Sequence, residues 1–142
     1  MTDSDGADVN NFGFEYITTA AVVSTYQAGI GIFESLLKEI KELSRKKPDA
    51  TISASKVKII NRVLADLLTF LKSEPEGKYL EVLDDEALPQ MSDAVLIMVQ
   101  FQSAIQSFKV RYNRYVDGSN YWITKELLAE WASNGGPDDD EG

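Results

Sequence analysis

The chain of 142 residues contains no cysteine and no histidine. Without cysteine it has no disulfide, no thiolate nucleophile and no cysteine-ligated zinc or iron–sulfur site. Without histidine it lacks the usual general base near neutral pH and the commonest metal ligand, and triads built on histidine are excluded. We therefore expect a cytoplasmic protein that is not an enzyme and that carries no cofactor and no metal.

Basic residues are outnumbered, with 14 Lys and Arg against 23 Asp and Glu, for a net charge of −9. Residues 1–10 and 135–142 hold seven acidic and no basic side chains, which leaves −2 for the body. The low isoelectric point therefore reflects the two ends more than an acidic binding face. We expect disordered acidic tails at 1–10 and 135–142, around a single helical domain at 11–134. The polar, acidic start is also unlike a secretory signal.

Long apolar runs are scarce. The longest uncharged stretch, Tyr16 to Phe33, has about the minimum length of a membrane span. It also contains four Ser and Thr residues, one Gln and two Gly, so few of its side chains are strongly apolar. We interpret it as a helix of a soluble protein rather than a membrane span.

Apolar residues spaced at three and four predict an all-α fold, a bundle of four to five helices. The first helix is expected to begin within residues 12–15 and to end at Lys47, before a proline. Its small-residue patch, Ala28 to Gly31, indicates either close packing of a neighbouring helix or a kink or break. Ser53 or Ser55 is expected to cap the second helix, whose apolar stripe is broad enough to need more than one partner helix, or a second copy of the chain.

Two further helices are predicted in the C-terminal half. The third is expected to start with a Ser92 cap and to run to Asp117, with Gly118 as its stop. The last is expected to follow a Thr124 cap and to end at residues 134–137, where Trp131 belongs to its core face.

The connection between the second and third helices, Glu74 to Gln90, is predicted to be short and irregular, with helical turns, and Asp84 is expected to cap one of them. It is the one acidic cluster inside the folded region. Trp122 precedes the last helix in a turn and is interpreted either as an anchor of that helix to the bundle or as part of a partner site, where tryptophan is enriched. Tyr79 lies beside the acidic cluster and is open to the same two interpretations. The residues predicted to bind a partner are Tyr79, Glu81, Asp84, Asp85, Glu86 and Trp122.

Other chemistries fit the sequence less well. The carboxylates from Asp84 to Glu86 lack the spacing of a calcium loop, and the glycines of residues 29–31 lack the spacing of a phosphate-binding loop. A serine nucleophile at Ser53 or Ser55 is explained more simply as a helix cap. Bases and aromatics alternate from Lys109 to Tyr115, as in some nucleic-acid sites, but the body has no basic excess.

The pattern as a whole predicts a non-enzymatic, protein-binding helical domain of the adaptor, inhibitor, immunity or chaperone type. One alternative is a small-ligand-binding bundle, in which the small-residue patch would face a cavity lined by aromatic residues such as Phe101 and Tyr112. A less favoured alternative is membrane association through Tyr16 to Phe33. The expected partner is another protein, self-association stays open, and nucleic acid and membrane are disfavoured.

Overall fold

A computed structural model describes residues 12–137 of the chain. The elements are α1 (Ala20–Lys46), α2 (Ala54–Leu71), a 3₁₀ helix (Pro75–Tyr79), α3 (Met91–Tyr112), β1 (Asn113–Val116), β2 (Ser119–Trp122) and α4 (Lys125–Asn134). Four α-helices confirm the predicted helical bundle, to which the structure adds a small two-stranded sheet. The tail predicted at 1–10 lies outside the described residues, as do residues 138–142 of the tail predicted at 135–142.

The chain forms two compact units. The described part of the first, which we call the terminal unit, comprises residues 12–24 and 109–137. The second, the central unit, comprises residues 25–108. α1 and α3 contribute residues to both.

The core of the central unit depends on the apolar stripe of α2. Its residues recur at the three and four spacing of one helix face and are at most 1% exposed: Val57, Ile60, Leu64, Leu67 and Leu71. Phe108 from α3 packs against Phe70, with ring centroids 4.8 Å apart, and against Tyr26 from α1 at 5.8 Å. The stripe is therefore covered within one chain, and a second copy is not needed to bury it. Ser53 caps α2 as predicted, since its hydroxyl accepts the Lys56 N–H at 3.2 Å.

α1 begins at Ala20 rather than within residues 12–15, which corrects the predicted start. The preceding Thr18 is extended: its N–H donates to the Ile123 carbonyl at 2.9 Å, and its own carbonyl accepts the Lys125 N–H at 3.0 Å. The Thr19 hydroxyl then accepts the Val22 N–H at 3.2 Å and so caps the helix. Pairing with a segment more than 100 positions away in the chain thus competes with helix formation.

The same helix runs unbroken through its two glycines to Lys46. A Cβ built on Gly29 would lie 3.5 Å from a methyl carbon of Leu67, which is ordinary contact, and a Cβ on Gly31 would meet nothing within 4 Å. Of the two alternatives, a break is wrong. Close packing holds only at Gly29, because Ala28 and Gly31 are exposed.

α3 ends at Tyr112, five residues before the predicted end at Asp117. Asp117 and Gly118 both have positive φ, 49° and 91°, and form the turn of an antiparallel hairpin in which Arg114 pairs with Tyr121. A two-residue Asp-Gly turn with both φ values positive matches the twist of paired strands, whereas a helix stop needs only one such residue. The predicted start of α3 is also wrong, because the helix begins at Met91, one residue before Ser92, which was expected to cap it.

The terminal unit has a separate core around Trp131, which is 5% exposed, together with Ile123 and Leu128. Phe12 meets the Trp131 ring edge-on at 5.5 Å and Tyr121 does so at 5.1 Å. The core position predicted for Trp131 is confirmed. The ends of α4 are also as predicted: Thr124 accepts the Leu127 N–H at 3.0 Å, and the helix stops at Asn134 before a left-handed glycine.

α1 is long and apolar enough, by length and composition alone, to cross a membrane, a test that the core helix of a soluble protein also passes. The stretch proposed for membrane association, Tyr16 to Phe33, is not one helix, because its first four residues precede Ala20. Inserting it would break the two backbone hydrogen bonds of Thr18.

Replacing Gly31 by Ala should stabilise the protein by about 0.5–1 kcal/mol, because alanine restricts the unfolded chain and the added methyl group has open space. Urea denaturation followed by circular dichroism measures the free energy of unfolding. A loss of stability would mean that α1 is not a continuous helix at this position.

Glu126 should make stability depend on pH. Its carboxylate accepts the Ala20 N–H at 2.8 Å at the start of α1, and this bond, followed by one from its own N–H, lowers the pKa of Glu126. A group whose pKa is lower in the folded state stabilises the protein above its unfolded pKa and loses that effect as the pH falls. The stability difference between wild type and Glu126→Gln should therefore be largest near pH 7 and should shrink towards about pH 3.

The control for this comparison is Glu130→Gln, which removes another exposed carboxylate of α4. Urea titrations of the three proteins at several pH values provide the measurement. A difference between wild type and Glu126→Gln that stays constant with pH would contradict the hydrogen bond to Ala20.

Candidate functional site

The irregular connection between α2 and α3 is held against the end of α2 at Gly77. The Glu74 N–H donates to the Leu71 carbonyl at 2.9 Å, and the Gly77 N–H donates to the Glu74 carbonyl at 2.9 Å. A Cβ on Gly77 would lie 2.5 Å from the Leu71 oxygen and 2.6 Å from the Lys72 Cα. Only glycine permits this approach, so the 3₁₀ helix sits directly on the α2 backbone.

Further along, the side chain of Asn61 in α2 holds the backbone of Leu83. The Asn61 Nδ2 donates to the Leu83 carbonyl and the Asn61 Oδ1 accepts the Leu83 N–H, both at 2.9 Å. Both backbone groups of Leu83 are thereby satisfied by one carboxamide, as they would be by a neighbouring strand. Its side chain is 2% exposed.

Asp84 has the capping role that its sequence position predicts. Its Oδ1 accepts the Glu86 N–H at 2.8 Å and the Ala87 N–H at 2.9 Å. These two hydrogen bonds, the one from Glu86 first, lower the pKa of the Asp84 carboxyl. The carboxylate is therefore ionised at neutral pH and stabilises a turn.

The far end of the connection is tied to the loop between α1 and α2. The Ile52 N–H donates to the Pro89 carbonyl at 2.9 Å, and the Met91 N–H donates to the Ala50 carbonyl at 2.8 Å. The connection is thus bound to helices or loops near its start, its middle and its end. An irregular segment with this many backbone hydrogen bonds presents its side chains in fixed positions.

A cleft of about 470 Å³ opens between this connection and α3. Its walls include Glu76, Tyr79, Leu80, Val99, Gln100 and Ser103. We call it the Tyr79 groove. The Tyr79 side chain is 67% exposed, whereas Ala104 in the groove is almost fully buried. The groove is therefore a surface feature with an aromatic ring standing at one wall.

The apolar surface of the groove continues along α3. Leu96 is 59% exposed and precedes Val99 and Gln100 by three and four residues, so it lies on the same face one turn earlier. From Leu96 to Ser103 the helix rises about 10 Å. An exposed leucine next to a groove enlarges the apolar patch available to a ligand.

Of the six residues predicted to bind a partner, Tyr79 lines the groove. Glu81 follows Leu80 directly and is exposed, as are Asp84, Asp85 and Glu86 later in the same connection. Trp122 is half-buried in β2 of the terminal unit and is not a groove residue. The connection therefore joins five of the six along one segment.

The α3 wall was not predicted. Gln100, Gln102 and Ser103 have the polar character of an ordinary solvent-facing side of a helix, and only the structure shows what lies opposite them. Gln102 also borders a second cleft, of about 260 Å³, which is shared with Lys38 and Lys41 of α1. One sequence feature could have indicated a binding surface on this side of α3. Leu96 is apolar but falls outside the three and four spacing of the core residues.

The other candidate chemistries gain no geometric support. Among residues 12–137, no three Asp or Glu side chains are grouped to hold a metal ion. Phe101 is fully buried, while Ala28 and Gly31 are exposed, so the small-residue patch does not face an internal cavity. In the segment that resembles a nucleic-acid site, Arg111 makes a cation–π contact with the Tyr16 ring of the same unit, 5.8 Å from the ring centroid.

Replacing Asn61 by Ala should lower the free energy of unfolding by about 1–3 kcal/mol, because the Leu83 backbone loses both partners. The matched control is Arg62→Ala, an exposed neighbour on α2, which should change stability by less than about 0.5 kcal/mol. Urea denaturation compares the two variants. Equal stabilities would show that Asn61 does not hold the connection.

The groove thus combines an exposed tyrosine, a wall of mixed polar and apolar residues on α3 and a backbone fixed by Gly77 and Asn61. Comparisons of the chain with models of protein families, with curated proteins and with solved structures found no match.

Proposed function

We propose that this chain is a non-enzymatic cytoplasmic protein of the adaptor, inhibitor, immunity or chaperone type, and that it binds another protein through the Tyr79 groove. The single observation that carries the proposal is Tyr79, which is 67% exposed on a connection held by backbone hydrogen bonds. Unlike a singly exposed ring elsewhere, this ring stands beside a cleft, where it supplies contact area that a partner can cover.

Tyrosine is among the residues that dominate binding energy at interfaces, because it supplies a large contact area with few rotatable bonds. A fixed backbone adds to this advantage, since less conformational entropy is lost on binding. Gly77 precedes Tyr79 by two residues and is buried against the Leu71 carbonyl. The backbone from which the ring projects is therefore largely set before a partner arrives.

The proposal of a binding role rather than catalysis is supported by the composition of the chain. It has no histidine and no cysteine, so the thiolate nucleophile and the usual general base of neutral-pH catalysis are missing. The two carboxylates with a lowered pKa, Asp84 and Glu126, accept backbone hydrogen bonds that stabilise a turn and the start of α1. A group committed in this way is poorly suited to proton transfer.

Replacing Tyr79 by Ala should weaken partner binding by roughly 30-fold or more, the effect of losing about 2 kcal/mol at a hot spot. The variant should keep the wild-type helicity and unfolding curve, because the ring is mostly exposed. Affinity capture from an extract of the producing cells, with quantitative mass spectrometry, identifies proteins retained by wild type. The affinity of the purified partner is then measured by titration calorimetry.

The matched control is Tyr115→Ala, because Tyr115 is exposed to a similar degree, 72%, on β1 of the terminal unit. A partner lost by the Tyr79 variant and retained by the Tyr115 variant supports the proposal. A partner that binds both variants as well as wild type places the interface elsewhere and overturns the role of the groove.

A further inference from the structure

The charge of the central unit is distributed unevenly. Residues 74–86 carry six carboxylates and one ammonium group, for a formal charge of −5. Of these carboxylates Glu76 lines the groove, and the others lie elsewhere in the same connection. The rest of the central unit has nine basic and six acidic side chains, for a charge of +3. The acidity is therefore a local property of the connection that forms the groove. A ligand of opposite charge is favoured at this position.

The groove also displays an internal cation contact. The Lys78 ammonium lies over the Tyr79 ring, 5.3 Å from the ring centroid. A tyrosine ring attracts a cation at such a distance through its quadrupole. Since Lys78 is an exposed side chain on a flexible stem, a lysine or arginine of a partner can take its place.

The backbone around the groove favours a helical ligand over an extended one. A strand added to the connection would need free N–H and C=O groups, but both groups of Leu83 are bonded to Asn61, and the Leu80 N–H donates to the Gly77 carbonyl. By contrast, Leu96, Val99 and Ser103 line about 10 Å of α3, the length over which a helix presents anchors at i, i+3 or i+4 and i+7.

We propose that the occupant of the Tyr79 groove is a basic amphipathic helix of a partner protein. Its apolar face packs on Tyr79, Leu80 and Val99, and its lysine or arginine side chains face the carboxylates of the connection. This inference rests on the proposed protein-binding function and specifies the chemistry of the partner.

The test uses two fluorescein-labelled synthetic helical peptides and the full chain. The peptides share leucines at i, i+3, i+4 and i+7, and their remaining positions carry mainly lysine in one and glutamate in the other. Fluorescence anisotropy measures Kd at low and at physiological salt. The basic peptide should bind at least about tenfold more tightly than the acidic one, and its affinity should fall as salt screens the charges.

A triple variant, Glu81→Gln, Asp85→Asn and Glu86→Gln, removes three acidic charges and leaves the Asp84 turn intact. It should weaken binding of the basic peptide by about 5- to 30-fold, at roughly two- to threefold for each exposed charge removed from the connection. The control triple variant, Glu39→Gln, Asp49→Asn and Asp66→Asn, has the same net charge and alters exposed residues elsewhere. It should change Kd by less than about twofold, since only the distant field is altered.

Each outcome decides between the claims. An equal loss in both triple variants shows attraction to net charge alone and overturns the inference, as does the absence of binding by the basic peptide. Equal binding of both peptides, lost in each case on Tyr79→Ala, overturns the basic character of the partner and retains the groove as a protein-binding site. Binding of the basic peptide that survives Tyr79→Ala places it outside the groove and contradicts the inference as well.

Discussion

The arrangement of the candidate site depends on two hydrogen bonds between the Asn61 side chain and the Leu83 backbone. An irregular connection usually satisfies its polar backbone groups with water and stays mobile. Here a carboxamide projecting from α2 takes the place of a neighbouring strand, and the Leu83 side chain is buried at the same point. The hydrogen bonds and the apolar burial stabilise each other, because each fixes the position that the other requires.

The remaining features of the groove follow from this anchor and from Gly77. With the backbone fixed on both sides of Tyr79, the ring remains in solvent beside α3, and the acidic side chains after Leu83 are turned into a short capped loop. Hydrogen bonds also fix the non-helical residues of the terminal unit. Extended residues around Thr18 are tied to the strand and helix near Ile123 and Lys125, and the Glu126 carboxylate completes the start of α1. In both units, segments without helical structure are positioned by specific hydrogen bonds to helices and to neighbouring loops.

Local patterns in the sequence predict the parts of this fold that depend on neighbours in the chain. The α2 stripe, the Ser53 and Thr124 caps and the Asp84 turn all follow from residues within a few positions of one another. The first helix start and the end of the third were wrong, because Thr18 and the strand residues after Tyr112 pair with segments that no local pattern identifies.

The candidate site likewise contains residues that the sequence identifies and residues that only the structure identifies. Tyr79 and the acidic residues are recognisable by type and position, since a large aromatic next to carboxylates in a loop is unusual for a core. Val99, Gln100 and Ser103 are not, because their role depends on which segment lies opposite α3. The sequence also does not predict the close approach of Gly77 to the α2 backbone, since a glycine between Pro75 and Tyr79 is typical of any turn.

The central claim is that the connection is fixed before any partner binds. Native-state hydrogen exchange of the Leu83 amide, whose N–H is donated to Asn61, tests it most directly. We predict that this amide exchanges as slowly as amides in the middle of α2, because both are released by the same unfolding event. Exchange at the rate of an unstructured peptide, with α2 still protected, would contradict the claim.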